Sequence, residues 1–236
     1  MKVPCRIVAE VLCRLVEVAA VGVSTLELNR VAEIEVARHK AKPAFKGYCG
    51  YPFSLCCSLN DQVVHGMPNN IALKDGDILS MDFGAYYDGF YGDSAVTIPI
   101  GKVSACASRL MAVTEASLQK AIDAAVAGSR MSDISSAVQI FVEANGFSVV
   151  RDFVGHGIGR NLHEQPQLPN YGPPGKGSKI RPGMVLAVEP MVNEKSYEVK
   201  VLADGWTAVT VDGGLSAHFE HTIAITDHGT EVLTRL

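Results

Sequence analysis

An α/β (α+β) chain, built from one helix-and-strand unit used twice, is the fold class this sequence predicts, on three observations. Helical periodicity occurs in two pairs of segments, one near the start and one in the middle. Asp88-Gly89 joins two alternating apolar runs, a strong two-residue hairpin signal. The chain also echoes itself. "KDGDILSMD" (74–82) and "RPGMVLAVE" (181–189) share a basic residue, a glycine six positions before the end, an apolar strand and a terminal carboxylate. "DSAVTI" (93–98) and "EHTIAI" (220–225) each open an apolar strand with an acid, and two matches in the same order point to a pseudo-twofold repeat.

The elements follow in order. Ile7, Val8, Val11, Leu12, Leu15 and Val16 recur at helical spacing, with Pro4 early and Gly22 as the stop. Ser24 and Glu27 form a capping box that opens a second helix to about His39. Residues 40–54 are a loop rich in glycine, proline and aromatics, followed by short strands near 55–59 and 62–65 and then the hairpin over 81–98. Two more helices are predicted over 104–127 and 132–144, stopped by Gly128 and Gly146. The last third reads as strands and loops, with strands at 148–153, 184–189, 198–203, 206–211 and 217–226. No linker or composition break divides residues 1–236, which read as a single domain.

The hairpin poses a chemical problem. With Asp88-Gly89 as its loop, Tyr87 faces Phe90 and Asp82 faces Ala95, so Asp93 lies on the face of Asp82, one diagonal step away. Such neighbours sit roughly 7–8 Å apart at Cα, and their side chains can lean closer. Two anions there repel unless one is protonated, a cation lies between them, or both face water at the hairpin edge. The repeat favours the cation, because it would bring Asp82, Asp93, Glu189 and Glu220 together from equivalent places.

Bulk properties narrow the classes. The chain has 236 residues, 47% hydrophobic and 19% charged, in the range of a globular protein. A chain of this size buries roughly 70% or more of its unfolded surface. Net charge is −4 and the pI is near 6.0, which does not suggest a nucleic-acid-binding surface. No run approaches the ~18 apolar residues of a membrane span. Arg6, Glu10, Arg14 and Glu17 interrupt the first helix, so it does not read as a signal peptide, and a cytoplasmic chain is expected. The six cysteines lack metal-finger spacing and are expected to be reduced thiols, with Cys5 and Cys13 packing along the first helix.

His156 lies between glycines in "FVGHGIGRNLHEQPQ", where the backbone can bend tightly and approach a ligand, and His163 follows seven residues later. A lone histidine is more often a hydrogen-bonded structural residue. Beside several strand-end carboxylates it becomes a ligand candidate. Four carboxylates and an imidazole form a hard donor set suited to Mn²⁺, Fe²⁺ or Co²⁺, with Zn²⁺ also accommodated. Two such ions sharing carboxylates would also share a hydroxide, a hydrolytic nucleophile at neutral pH.

"HGMPNN", "KDGDILSMDFGAYYDGFYGDSAVT", "GHGIGRNLHEQPQLPNYG", "GMVLAVEPM" and "DGWTAVTVDGGLSAHFEHTIAIT" together resemble the type I methionine aminopeptidases, over almost the whole chain. The resemblance implies a pita-bread fold, in which a mostly antiparallel curved sheet of pseudo-twofold symmetry is covered by helices. It implies two divalent metal ions per chain. Asp82 would hold one, His156 and Glu189 the other, and Asp93 and Glu220 would bridge them. Glu189 would also be the general base for the attacking water. His163 would hydrogen-bond substrate and stabilise the tetrahedral intermediate, and His65 would approach the second residue and the leaving amine. Hydrolysis would proceed by metal-bound hydroxide, removing the initiator methionine of nascent polypeptides and short Met-peptides when the second residue is small.

The resemblance also implies a methionine pocket of Phe45, Tyr48, Tyr51, Cys56, Leu162 and Trp206. Sulfur–aromatic contacts of roughly 0.3–1.5 kcal/mol suit such a wall to a thioether. Taken singly, each of these would be a packing residue, and Trp206 follows the Asp204-Gly205 turn closely enough to reach only a rim. Cys49 and Leu162 depart from residues common in the family. His218 shares a strand face with Glu220, and could sit by the metals or in solvent.

Aminopeptidase P and prolidase share the five-ligand pattern but carry a large extra domain. Type II methionine aminopeptidases carry an insertion between the last two carboxylates, and here only thirty residues separate Glu189 from Glu220. A ligand-free, ribosome-associated binding protein on the same fold would have lost ligands that this chain keeps. A monomer with transient ribosome contact, and with no nucleic-acid specificity or membrane attachment, is expected.

Overall fold

The computed structural model describes residues 1–235. Helix α1 (Lys2–Val18) buries Ile7, Val8, Val11, Leu12 and Leu15, the predicted stripe. Val16, also assigned to that stripe, is exposed, and so is Cys13, which does not pack as expected. Cys5 is fully buried. The helix stops at Ala19, whose backbone is extended, three residues before Gly22. α2 (Thr25–Arg38) opens on the predicted capping box: the Ser24 hydroxyl accepts from the Glu27 amide, while the Glu27 carboxylate accepts from the Ser24 amide at 2.7 Å. Such a cap contributes about 0.5–2 kcal/mol. α3 (Ala105–Ala124) and α4 (Met131–Ala144) match the second predicted pair, although α3 ends three residues early in a turn at Ala125.

The strands are β1 (Lys42–Pro43), β2 (Cys56–Leu59), β3 (Gln62–Val64), β4 (Ile78–Tyr87), β5 (Phe90–Pro99), β6 (Ser148–Val149), β7 (Gly155–Gly157) and β8 (Glu164–Leu168). They continue with β9 (Val185–Val188), β10 (Met191–Asn193), β11 (Val199–Val201), β12 (Ala208–Thr210), β13 (Ser216–His218), β14 (Glu220–Thr226) and β15 (Gly229–Val232). A nine-stranded antiparallel sheet runs β1-β4-β5-β14-β9-β7-β8, with β2 also on β4 and β15 on β14. Two three-stranded sheets, β13-β10-β6 and β11-β12-β3, flank it. The strand predicted over 217–226 is in fact broken at Phe219, so that β13 joins β10 while β14 joins the large sheet.

The pleat decides what each face carries. On β4, Leu79, Met81, Phe83 and Ala85 point into the core under α1 and α2, each buried completely. On β9 and β14, Leu186, Val188, Ile223 and Ile225 point into a second core with α3 and α4. Burying each of the large apolar side chains contributes about 1.5–3 kcal/mol. All four helices thus lie on these apolar sides, and the alternate residues Asp82, Asp93, Ala187 and Glu220 turn to the opposite face.

The internal echo is structural. Gly76, in left-handed conformation, donates to the Ile100 carbonyl, and Ile100 donates back to Asp77. Gly183, also left-handed, donates to Ile225, and Ile225 donates back to Met184. Between the halves, β5 and β14 pair through Glu220–Ala95 and His221–Ser94. Hydroxyls extend the seam: Ser94 donates to the Glu220 carbonyl, Thr222 to that of Asp93 at 2.7 Å, and Thr97 to that of His218 at 2.7 Å.

Candidate active site

The hairpin register is the one the Asp-Gly turn predicts. Asp88 and Gly89 both have positive φ, Tyr87 pairs with Phe90, Asp82 with Ala95 and Gly84 with Asp93. A Cβ on Gly84 would collide with Ala44 and the Phe45 ring, so glycine opposite Asp93 lets that ring reach the site. From the other half, His156 pairs with Ala187, and Glu189 follows the end of β9. The glycines around His156 serve a purpose other than the expected tight bend. They lie within a strand, and a Cβ on Gly155 or Gly157 would strike the backbone of Ala187 or Gln165. Close strand approach requires them.

These elements enclose a cavity of about 200 Å³. All five predicted metal ligands line it: Asp82, Asp93, His156, Glu189 and Glu220. So do His65 and His163, and the predicted wall of Phe45, Tyr48, Tyr51, Cys56, Leu162 and Trp206. Asp93, His156 and Glu220 each bring a ligand atom within 4.8 Å of the others, and are 4%, 6% and 2% exposed. His156 Nε2 lies 3.6 Å from Glu189 Oε1. The His156 Nδ1 is 2.9 Å from its neighbour's carbonyl on Gly157, a bond that orients Nε2 toward the acids.

Asp82 Oδ1, Asp93 Oδ1 and Glu220 Oε1 are buried with no hydrogen-bond partner among the described residues. An unsatisfied buried polar group costs about 1–3 kcal/mol, more when charged, so three acid oxygens on one wall fit a divalent cation centre. The electrostatics agree. Burial pushes the Asp82 carboxyl up to about 7. Burial, and then the neighbouring acids, push Asp93 and Glu220 well above the usual carboxylate range, and Glu189 rises for the same reasons. Burial pushes His156 and His65 down to about 4, keeping both imidazoles neutral, the state that ligates metal.

His163 sits at the mouth. Its ring lies 4.2 Å from the His156 ring centroid, and its Nδ1 is 2.8 Å from the Tyr48 hydroxyl. His65, with positive φ, packs edge-on against Phe153 at 5.4 Å and Trp206 at 6.3 Å. Trp206 reaches the cavity and not merely a rim: Asp204 holds its amide at 2.9 Å, and its ring meets Tyr51 at 5.1 Å. His218 is 1% exposed, which excludes the solvated alternative, and its Nε2 lies 3.7 Å from Glu189 Oε2. Sequence reasoning did not place Cys49 in the site, yet it lines the cavity. Its position between Tyr48 and the Gly50-Tyr51 turn was the available signal.

The comparisons with known proteins agree on one family. The model of metallopeptidase family M24 matches residues 1–227. A methionine aminopeptidase of Clostridium perfringens is 54% identical over 97% of this chain and 92% of its own length. Methionine aminopeptidase 1 of Bacillus subtilis is 55% identical, over 91% of this chain and 87% of its own. The crystal structure of a methionine aminopeptidase from Thermotoga maritima superimposes with a TM-score of 0.99 at 48% identity, covering 100% of this chain and 95% of that one. The prolidase of Pyrococcus horikoshii, at 21% identity, shares the fold with a TM-score of 0.80 over 60% of its length. The curled antiparallel sheet with its four helices is the pita-bread fold.

Proposed function

Since the chain belongs to metallopeptidase family M24 and is a type I methionine aminopeptidase within it, we propose that its cavity removes the N-terminal methionine from peptides whose second residue is small, using two divalent ions. The observation that carries this reading is the convergence of five acid and imidazole ligands, three of their oxygens unpartnered, beneath an aromatic wall. Asp82 would hold one ion, His156 and Glu189 the other, and Asp93 and Glu220 both. When bound, such ions supply an activated water and polarise the scissile carbonyl. The donor set suits Mn²⁺, Fe²⁺ or Co²⁺, with Zn²⁺ also accommodated.

The chain's own residues do the rest. Phe45, Tyr48, Tyr51, Cys56, Leu162 and Trp206 receive the methionine side chain and exclude water from it. Glu189, at the end of β9 and lining the cavity, takes the proton of the attacking water. His163 donates toward the oxygen of the tetrahedral intermediate. His65, wedged between Phe153 and Trp206, meets the second residue and the leaving amine, and the crowding there disfavours long second side chains. The reading extends to a single catalytic domain over residues 1–236. It would act as a cytoplasmic monomer on nascent polypeptide N-termini, with transient ribosome contact. Among the described residues no helix is long and apolar enough to cross a membrane.

Incubation with Met-Ala-Ser and Met-Lys-Ser in Mn²⁺ or Fe²⁺, reading free methionine, tests the proposal. Release from the first peptide alone is expected; comparable release from both overturns the size rule.

A further inference from the structure

We propose that Tyr48 is a positioning residue for His163: its hydroxyl donates to Nδ1 and so fixes the imidazole tautomer that presents Nε2–H to the cavity. The inference rests on the reading of His163 given above and adds the group that sets its chemistry. Three observations carry it.

The first is geometric. The Tyr48 hydroxyl and His163 Nδ1 are 2.8 Å apart, a full hydrogen bond, across residues separated by 115 positions in the chain. The rings lie 5.2 Å apart, and the His156 ring is 4.2 Å from that of His163. With Nδ1 engaged, Nε2 is the remaining polar atom of the ring, in a side chain that lines the cavity.

The second is the rigidity of the segment that carries Tyr48. Gly47 and Cys49, on either side of it, both take left-handed backbone. Gly47 donates to the Tyr51 carbonyl at 2.7 Å, and Tyr48 to that of Phe45 at 2.9 Å. The Tyr51 hydroxyl is held by the carbonyls of Leu55 and Gly66. Tyr48 is therefore aimed by a braced turn, and His163 emerges from a turn braced in the same way, where Asn161 donates to Glu164 at 2.8 Å.

The third is chemical. Either partner could formally donate. A phenol is the stronger O–H donor, and a neutral imidazole nitrogen is a better acceptor than a phenol oxygen. The O–H···N arrangement therefore prevails, leaving the proton of a neutral His163 on Nε2. That tautomer offers a donor where charge develops on the substrate oxygen. The opposite tautomer would offer a lone pair, which repels it.

Tyr48→Phe keeps the ring, and with it the methionine wall, and deletes only the hydroxyl. Two readouts separate positioning from packing. In ¹⁵N-histidine spectra of the Zn²⁺-loaded protein, with His163 assigned by its loss in His163→Ala, the wild type should show the Nε2–H tautomer and Tyr48→Phe a mixture. On Met-Ala-Ser, Tyr48→Phe should lower kcat about tenfold with KM within about twofold, because the freed imidazole is mixed in tautomer and is also no longer held in line with the substrate oxygen. In a His163→Ala background the same change should cost less than about twofold, as expected of residues acting as one unit. An Nδ1–H wild type, an unmixed tautomer in Tyr48→Phe, or an equal kcat loss in both backgrounds overturns the proposal. Failure of the wild type to release methionine would instead overturn the functional reading, and the spectra would still decide the tautomer.

Discussion

His218 Nε2 lies 3.7 Å from Glu189 Oε2 while His156 Nε2 lies 3.6 Å from Oε1, so one half-buried carboxylate sits between two neutral imidazoles. His218 comes from β13, outside the large sheet, and its Nε2 has no hydrogen-bond partner among the described residues. At this separation the contact is not a hydrogen bond, and with the ring neutral it acts through the imidazole dipole rather than as an ion pair. His218→Leu should weaken Mn²⁺ binding or lower kcat by about 10- to 100-fold, the usual effect of losing a group that orients a metal ligand. His218→Gln, which restores an N–H donor, should recover most of it. Calorimetric Mn²⁺ titration beside kcat on the same preparations decides; equal losses in both variants would leave His218 a packing residue.

The ligands and the histidine at the mouth should separate by metal content. Asp93→Ala removes a proposed bridge and leaves Asp82 and Glu220 repelling one another, so bound metal and activity should fall together. His163→Ala should keep its metal and lose roughly 2.7–4 kcal/mol of transition-state stabilisation, or 10²–10³ in kcat, if it acts as one oxyanion donor. Elemental analysis and kcat on the same samples check both. A metal-free His163→Ala, or an Asp93→Ala that keeps both ions, would reverse the roles.

Without divalent ions, stability should fall as pH rises above about 6.5. Burial holds Asp82 near 7 and lifts Asp93, Glu189 and Glu220 well above the usual carboxylate range, so the folded chain keeps protons that the unfolded chain has already released. Their contribution is full below the unfolded carboxylate values and is lost as pH rises through the folded ones. His65 and His156 at about 4 and His218 at about 3 act oppositely, adding stability as pH rises toward 6.5, and give no further slope above it. Metal should cancel the loss, because its ligands bind deprotonated. Free ion at 100 times Kd adds about 2.7 kcal/mol. Thermal midpoints in chelator and in Mn²⁺ from pH 6.5 to 8.5 test this; parallel curves would refute it.

Leu162 is 2% exposed and lines the cavity. Leu162→Phe should therefore either intrude on the methionine site or strain the core by about 1–3 kcal/mol. The selectivity of methionine over norleucine should change, with metal content intact. Unchanged selectivity would take Leu162 out of the pocket wall.

Cys49 is an exposed thiol on the cavity, whereas Cys56 on the same wall is buried and its thiol is pushed up by that burial. Methyl methanethiosulfonate should inhibit the wild type, and free methionine should protect it. Cys49→Ser should lose that sensitivity relative to its own untreated activity. Inhibition that persists in Cys49→Ser would point to another cysteine.

Much of this site was legible because it obeys local rules. Asp88-Gly89 sets the hairpin register, the register sets which face Asp82 and Asp93 share, and the repeat supplies Glu189 and Glu220. What stayed hidden depends on partners distant in the chain. Gly155–Gly157 has too few side chains to show strand periodicity, yet it is a central strand wedged between β8 and β9. The break at Phe219 follows from competition between β10 and the large sheet for one stretch of chain, which no periodicity reveals. Val16 and Cys13 fit a helical stripe in spacing, but lie beyond the width of the face that the sheet covers.

The seam between β5 and β14 also fixes the order in which the protein can assemble. Asp82 and Asp93 meet through a two-residue turn, a contact closed in microseconds. Ser94 and Glu220 meet only after a loop of 126 residues has closed. On loop-closure entropy alone, the four carboxylates are expected to come together late, after the local hairpin contacts have formed. Added metal should leave the refolding rate nearly unchanged and slow unfolding instead, because it strengthens contacts made beyond the transition state. The ion then works as a latch on a finished fold rather than as its nucleus.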